Sequence, residues 1–405
     1  MHILIVTGRP LRLNSSANLC HIAYINGLIH NGCTVDLLQM SEKNLTIDES
    51  IEIPKFRKVY EYDGSIYSQM ASAKHSNTAE LNHANSTSRK SLKSVVLTKI
   101  KDFIRTKVYG VYAVDIAWYY RVLIGFRQRL KYDLVISLAY PPISHKVAEL
   151  ILKRNVTADK WIQIWEDPWS LEPGGNFRNK GFLKEEHRVL KNADEVIYVS
   201  PITLQMQLDE FSEHSYKMRW LPLPTYYKPE NFELDFSELF FGYFGDYNSN
   251  VRNLKPFYNA ASENNLCTYI CGSSDVSFVA NESVHVYPRL PIYKLKEFED
   301  KTNVLVFLCN LSGGQIPGKI YQQSATNKLI LFILDGTDDE KQIIKDYFSQ
   351  FNRYIFCENN EESIKKAIDS IPKILNNDNY TKPLTVFEPK NIANCIINGS
   401  DLKFE

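Results

Sequence analysis

A glycine pair, Gly313-Gly314, stands just ahead of Pro317-Gly318-Lys319, between the apolar runs Val304–Leu308 and Leu329–Leu334. The order predicts strand, loop, helix and strand. A helix N-terminus offers unpaired N–H donors and roughly half a positive charge, so a glycine loop leading to a lysine predicts a phosphate seat. A second group follows the apolar run Trp161–Trp165, where Glu166 and Asp167 come directly at the strand end. Carboxylates there can orient a hydroxyl or take its proton. Aspartate before Pro168 also favours a turn, so capping is the competing but weaker reading of Asp167. His145, in PPISHK, lies at a strand-to-helix turn and is a weaker catalytic candidate, since helix ends often carry histidine. Ser15 and Ser16 follow the first strand and can touch acceptor or phosphate, although N-capping alone explains them.

Several enzyme classes are disfavoured by what surrounds these residues. Gly313-x4-Gly318-Lys319 resembles a Walker A loop, but Ile320 occupies the place of the magnesium-holding Ser or Thr. Pro317 removes another donor. The dinucleotide fingerprint is absent after the first strand, where Gly8-Arg9-Pro10 stands instead. No Asp-x-Asp occurs, so no metal ligand is assigned. The seven cysteines are scattered without zinc spacing and read as reduced thiols.

The elements that must position this chemistry alternate between short β-rich runs and helical patterns, as parallel sheets with crossover helices require. Strands are expected near His2–Val6, Val35–Leu38, Leu134–Ser137, Trp161–Trp165 and Glu195–Val199. Helices are expected at Ser16–His30, Ser144–Arg154, Phe182–Lys191 and Thr203–Phe211. Leu221–Glu238 carries three prolines and no periodicity, as a linker does. Alternation then restarts with Leu239–Phe244, a helix at Asn253–Asn264, Cys267–Cys271 and Val284–Tyr287. After the glycine loop come a helix at Asp338–Phe351, a strand at Tyr354–Cys357 and a helix at Glu361–Asn376. At 405 residues two domains are expected, 1–220 and 239–376, with an irregular tail over 377–405 that folds back on the first. The fold class is α/β, two Rossmann-like doubly wound domains facing across a cleft, with ligand at the carboxyl ends of both sheets.

Net charge is zero but uneven: Arg89–Lys131 holds eleven basic residues against Asp102 and Asp115. Aromatic residues are interleaved there, which fits either an anionic membrane surface or an amphipathic helix with a solvated basic edge. Nucleic acid is not expected without a further basic patch. Polar residues 74–93 read as a surface excursion. The opening apolar run is too short for a signal peptide, and no stretch is long enough to span a bilayer. The expected location is cytoplasmic, peripheral on the inner face of the membrane.

GGQIPGKIYQQSATNKLILFIL resembles the donor-binding segment of retaining GT-B glycosyltransferases that build bacterial surface polysaccharides, the family 4-like group. GYFGDYNSNVRN is similar to the glycine loop opening their donor domain, with Gly245 in the loop and Arg252 near the diphosphate. Tyr132–Arg154 and WIQIWEDPWS resemble the paired acceptor-domain strands, whose family form ends in Asp-x-Trp. EEHRVLKNADEVIYVSP resembles the helix and strand closing that domain, and VHVYPRLPIYKLKEF the loop that reads the base. The resemblance covers most of the chain outside Tyr60–Lys131 and the tail. It implies donor contacts from Gly245, Arg252, Gly272, Arg289, Gly313, Gly314, Ile316, Gly318, Lys319 and Gln322. Beside it, the strand-end reading keeps Asp167, Glu166 and His145 as catalytic candidates and Ser15 and Ser16 as acceptor contacts. The implied reaction needs no cofactor: a nucleotide-sugar is the substrate, and the acceptor is a saccharide or lipid-linked. Many members carry Glu-x7-Glu where this chain has Gly314 and Gln322. A sugar-nucleotide epimerase on the same fold, or a non-catalytic nucleotide-binding relative, are the alternatives.

Overall fold

The computed structural model describes residues 1–43, 45–65, 110–167, 169, 180–226 and 228–402. The polar stretch 74–93 and the basic residues before 110 lie outside the described residues, as does Pro168.

The first sheet has seven strands: β1 (His2–Thr7), β2 (Thr34–Met40), β3 (Lys58–Tyr62), β4 (Leu130–Ala139), β5 (Val156–Trp165), β6 (Glu195–Tyr198) and β7 (Met218–Trp220). Their order is β3-β2-β1-β4-β5-β6-β7, with every pairing parallel. The second sheet has six: β8 (Phe240–Phe244), β9 (Cys267–Cys271), β10 (Val284–Tyr287), β11 (Val304–Leu308), β12 (Leu329–Leu334) and β13 (Ile355–Glu358). Its order, β10-β9-β8-β11-β12-β13, is again parallel throughout. Both sheets therefore reverse strand order beside their first strand, the crevice where open α/β sheets bind ligands. β11 and β12 are buried at every position, as central parallel strands covered on both faces must be.

Helices α1 (Ser16–His30), α2 (Ile116–Gly125), α3 (Ile143–Arg154), α4 (Lys180–Lys191) and α5 (Pro201–Glu210) belong to the first domain. The second carries α6 (Lys255–Glu263), α7 (Ile292–Lys301), α8 (Lys319–Ser324), α9 (Asp338–Ser349) and α10 (Glu361–Ile374). Polar caps start several of them: the side chains of Ser15, Ser200, Thr337 and Asn360 each accept a backbone N–H from the following turn. The described residues of 221–238 form neither helix nor strand in their own right, apart from a bridge between Glu230 and Thr326.

Three findings depart from the sequence reading. The tail is not irregular: Pro389–Asn398 form α11, with Pro389 in its first turn and Ile392, Ala393 and Ile396 buried on one face. α11 packs on α1, where Asn31 Nδ2 donates to Lys390 O at 2.8 Å, and Arg219 at β7 donates to Ser400 O at 3.0 Å. Strands β3 and β7 gave no sequence signal, because one is a partly charged edge strand and the other has only three residues. Finally, the helix after the glycine loop is only six residues long. So short a helix lacks the aligned peptide dipoles that the phosphate-seat argument assumed.

One apolar cluster runs from the first sheet into the second through Ile202, Leu221, Leu223, Ile316, Ile320 and Tyr321. The domains thus meet along a dry seam beside the cleft.

Candidate active site

The carboxyl end of the second sheet is built by the loops after β8, β9, β10 and β11. Gly272 follows β9 so closely under the β8 loop that a Cβ on it would lie 1.9 Å from Gly245 O. No side chain fits there. The side chain of Lys319 arches over Gly245, with its Nζ 3.4 Å from where a Cβ would stand. Lys319 is surrounded by protein yet exposed to water, the combination expected of a cleft floor. Crowding pulls its ammonium down to about 8; Glu299 opposes this, Arg252 adds to it, Asp246 opposes it and Arg289 adds to it.

The neighbouring cations are held in place by short polar contacts. Arg252 Nε donates to Asn310 Oδ1 at 2.8 Å, and its Nη1 donates to Asp246 O at 3.3 Å. Arg289 Nη1 lies 3.7 Å from Asp246 Oδ2, and both side chains are largely in water. Asp246 is itself fixed by the Ser273 N–H at 2.8 Å. The β8 and β11 loops are stitched together where Leu311 N donates to Val251 O at 2.8 Å. Three cations thus line a floor of bare backbone, an arrangement that attracts anions. The two acids nearest Lys319, Asp246 and Glu299, lie among these cations.

The glycine loop does something the sequence did not suggest. Gly314 has φ +70°, and its carbonyl accepts from Ser200 Oγ at 2.6 Å and Thr203 Oγ1 at 3.1 Å at the start of α5. A Cβ there would lie 2.8 Å from Met206 Sδ. Next to it, Gln315 Nε2 donates to Asp167 Oδ1 at 2.6 Å. The loop therefore clasps the first domain.

Of the ten sequence-assigned donor residues, the structure gathers Gly245, Arg252, Gly272, Arg289 and Lys319 around one floor. Gly313, with φ +102°, leads into the clasp. Ile316 is a buried seam residue, and Gly318 packs under Leu223. Gln322 is buried, with its Oε1 accepting from Thr225 Oγ1 at 2.9 Å and Tyr226 N at 2.8 Å. That amide ties α8 to the linker.

In the first domain Asp167 reaches the cleft, while His145 does not. His145 is fully enclosed on α3, with its Nδ1 2.7 Å from Ser137 Oγ and its ring 4.4 Å from that of Trp165. Burial drives its pKa down to about 3, so it is a neutral core residue. Ser15 caps α1 by accepting from Asn18 N at 3.2 Å, and Ser16 is exposed beside it. Glu166 is buried, with its Oε1 3.2 Å from Nε2 of the wholly enclosed His21. His21 Nδ1 lies 3.4 Å from Thr7 Oγ1, which gives a Thr7–His21–Glu166 row at the ends of β1 and β5. Burial, and then the Glu166 charge, raise the neighbouring Cys20 thiol and Tyr24 phenol well above their ordinary values.

Sequence reading missed His21, Asp246, Asn310, Glu299, Ser200 and Thr203. Asn310, the second residue after β11, and Asp246, directly after Gly245, sat in plain strand-end positions. His21 carried no such mark, because its partner is 145 residues away.

These features define the class: two Rossmann-like domains in the GT-B arrangement, with a cation-lined floor on the second. The sequence matches no protein-family model and no curated protein. Solved structures do match. TarM superposes with a TM-score of 0.56 at 10% identity, over 98% of this chain and 97% of its own. UGT89C1 of Arabidopsis thaliana gives 0.52 at 10%, over 98% of each chain. An alpha-glucosyltransferase solved with UDP and a mismatched DNA 13-mer gives 0.51 at 11%, over 99% of this chain and 96% of its own. At such identities the likeness is one of fold. Among the described residues no helix is long and apolar enough to cross a membrane.

Proposed function

We propose that the chain is a glycosyltransferase that takes a sugar from a nucleotide diphosphate held on the second domain and passes it to an acceptor held on the first. The observation that carries this reading is the convergence of Lys319, Arg252 and Arg289 on the Gly245–Gly272 floor. Departure of a nucleoside diphosphate concentrates negative charge on its phosphates, and preformed cations lower that barrier without a metal. Lys319 meets the phosphates as a point charge, whereas Arg252 and Arg289 present forked donors. Asp167, across the cleft, orients the acceptor hydroxyl once Gln315 releases it. In a retaining reaction the departing phosphate takes the acceptor proton, and the resemblance to family 4-like enzymes favours that course. The sugar is a hexose or a close relative.

The acceptor is a saccharide or lipid-linked saccharide of surface-polysaccharide or glycoconjugate assembly. A peripheral membrane position on the cytoplasmic side is supported by α2, which exposes Tyr120, Arg121 and Ile124, with exposed Arg127 and Arg129 following.

Calorimetry with a panel of nucleoside diphosphates tests the donor floor. Lys319→Ala combined with Arg252→Ala should weaken binding by about 100-fold or more, since each charged hydrogen bond contributes about 1.5–3 kcal/mol. Unchanged affinity would sink the proposal. Product analysis without acceptor separates the epimerase, which converts a lone donor. Binding without turnover of any donor would identify a non-catalytic relative.

A further inference from the structure

A second cluster lies outside the cleft, between α4 and the two-turn 3-10 helix Ser212–Lys217 that follows α5. His187 Nε2 is 2.6 Å from Glu213 Oε1, and the His187 and His214 rings are 4.9 Å apart. One donor atom from each of His187, Glu213 and His214 lies within 4.8 Å of the other two. His214 is only 6% exposed, and its Nε2 has no hydrogen-bond partner among the described residues. An imidazole nitrogen buried without a partner carries a desolvation cost that something must offset.

We propose that His187, Glu213 and His214 bind a divalent transition-metal ion of the zinc type, with water as the fourth ligand. Two imidazoles and a carboxylate are zinc donors, and bonds of about 2.0–2.2 Å require the three atoms to close to roughly 3.4 Å. His187 and Glu213 are about half exposed, at 44% and 50%, so they are free to turn inward and the ion can enter from water. The opposing charge is Lys217, whose ammonium is turned to the carbonyls of Lys191 at 3.0 Å and Ala193 at 2.8 Å. The site stands past the C-terminal end of α5, whereas Gly314 touches that helix's first turn, about 15 Å away along its axis. The ion would pin α4 to the segment entering β7 and take no part in the cleft.

Untagged full-length protein is titrated with zinc by calorimetry and with cobalt by visible absorption, and its melting is followed with and without zinc. One saturable ion per chain and a raised melting temperature are expected. His187→Gln and Glu213→Gln change half-exposed side chains, so both should fold; each should bind zinc at least about tenfold more weakly and lose the melting shift. Nucleoside diphosphate affinity should be the same in all three proteins. Absence of saturable binding, or undiminished affinity in both variants, overturns the site. His214→Asn gives a third reading if it folds, with the same loss expected.

Discussion

At the carboxyl end of the first sheet the polar groups are enclosed: Glu166 faces His21, and His145 leans on Ser137. At the same end of the second sheet Lys319 stands open to water over backbone from which side chains are excluded. The strand order is common to both, so topology does not account for the contrast. What differs is which residue types follow each strand. Glycine after β8 and β9 opens one floor, whereas Pro141, Ile143 and Trp165 fill the other. A shared crevice thus becomes a charged seat on one side and, among the described residues, a sealed wall from which Asp167 projects on the other.

The contrast is most easily broken at Gly272. Gly272→Ala must push the β8 loop aside and should cost about 3 kcal/mol by chemical denaturation, together with most nucleotide affinity. Retention of both would show that the floor is not built by this close approach. On the sealed side, His145→Asn should cost about 2 kcal/mol at neutral pH. It should also flatten the acid limb. The wild-type His145 has a folded pKa of about 3 against an ordinary 6.5, so the unfolded chain takes up its proton first. Stability is therefore lost as pH falls below about 6.5 toward 3, and the variant should lack that component of the loss. An unchanged pH profile would place His145 in water.

On the open side the sign is opposite. Lys319 is charged below about 8, so nucleoside diphosphate binding should weaken as pH rises through that value, by about tenfold in calorimetry. Bound phosphate shifts the transition upward, and Lys319→Arg should abolish it. The smallest effect belongs to the clasp between the two floors. Gln315→Ala removes the bond to Asp167 and should cost about 1 kcal/mol in stability while raising acceptor affinity slightly. Lowered acceptor affinity would mean that Gln315 positions Asp167 for the acceptor.

Much of the fold was legible because short apolar runs and 3.6-residue faces are local. β9, β10, β11 and β12 fall on the expected residues, and α1 does so at both ends. The position of Asp167 was legible for a related reason, since strand-end residues of an open parallel sheet are placed by the sheet itself, and that of Lys319 because it opens the helix after the glycine loop. Gly314, Ile316 and Gln322 were assigned to the donor by their place in a motif, yet the structure sets them in the domain seam. No spacing within the loop reveals that Ser200 and Thr203 will claim Gly314 O, or that Thr225 and Tyr226 will claim Gln322.

The sequence alone determined two parallel α/β units, the glycine loop with its lysine, and the carboxylates after β5, since each depends on residues close in the chain. Tertiary structure alone decided that Lys319 lies over Gly245, that His21 meets Glu166, that α11 returns to α1, and that His187 stands beside Glu213 and His214. Those pairings join residues whose separation in the chain carries no periodic signal. They form only when buried apolar surface brings distant segments together and their polar groups must then find partners or remain unpaired.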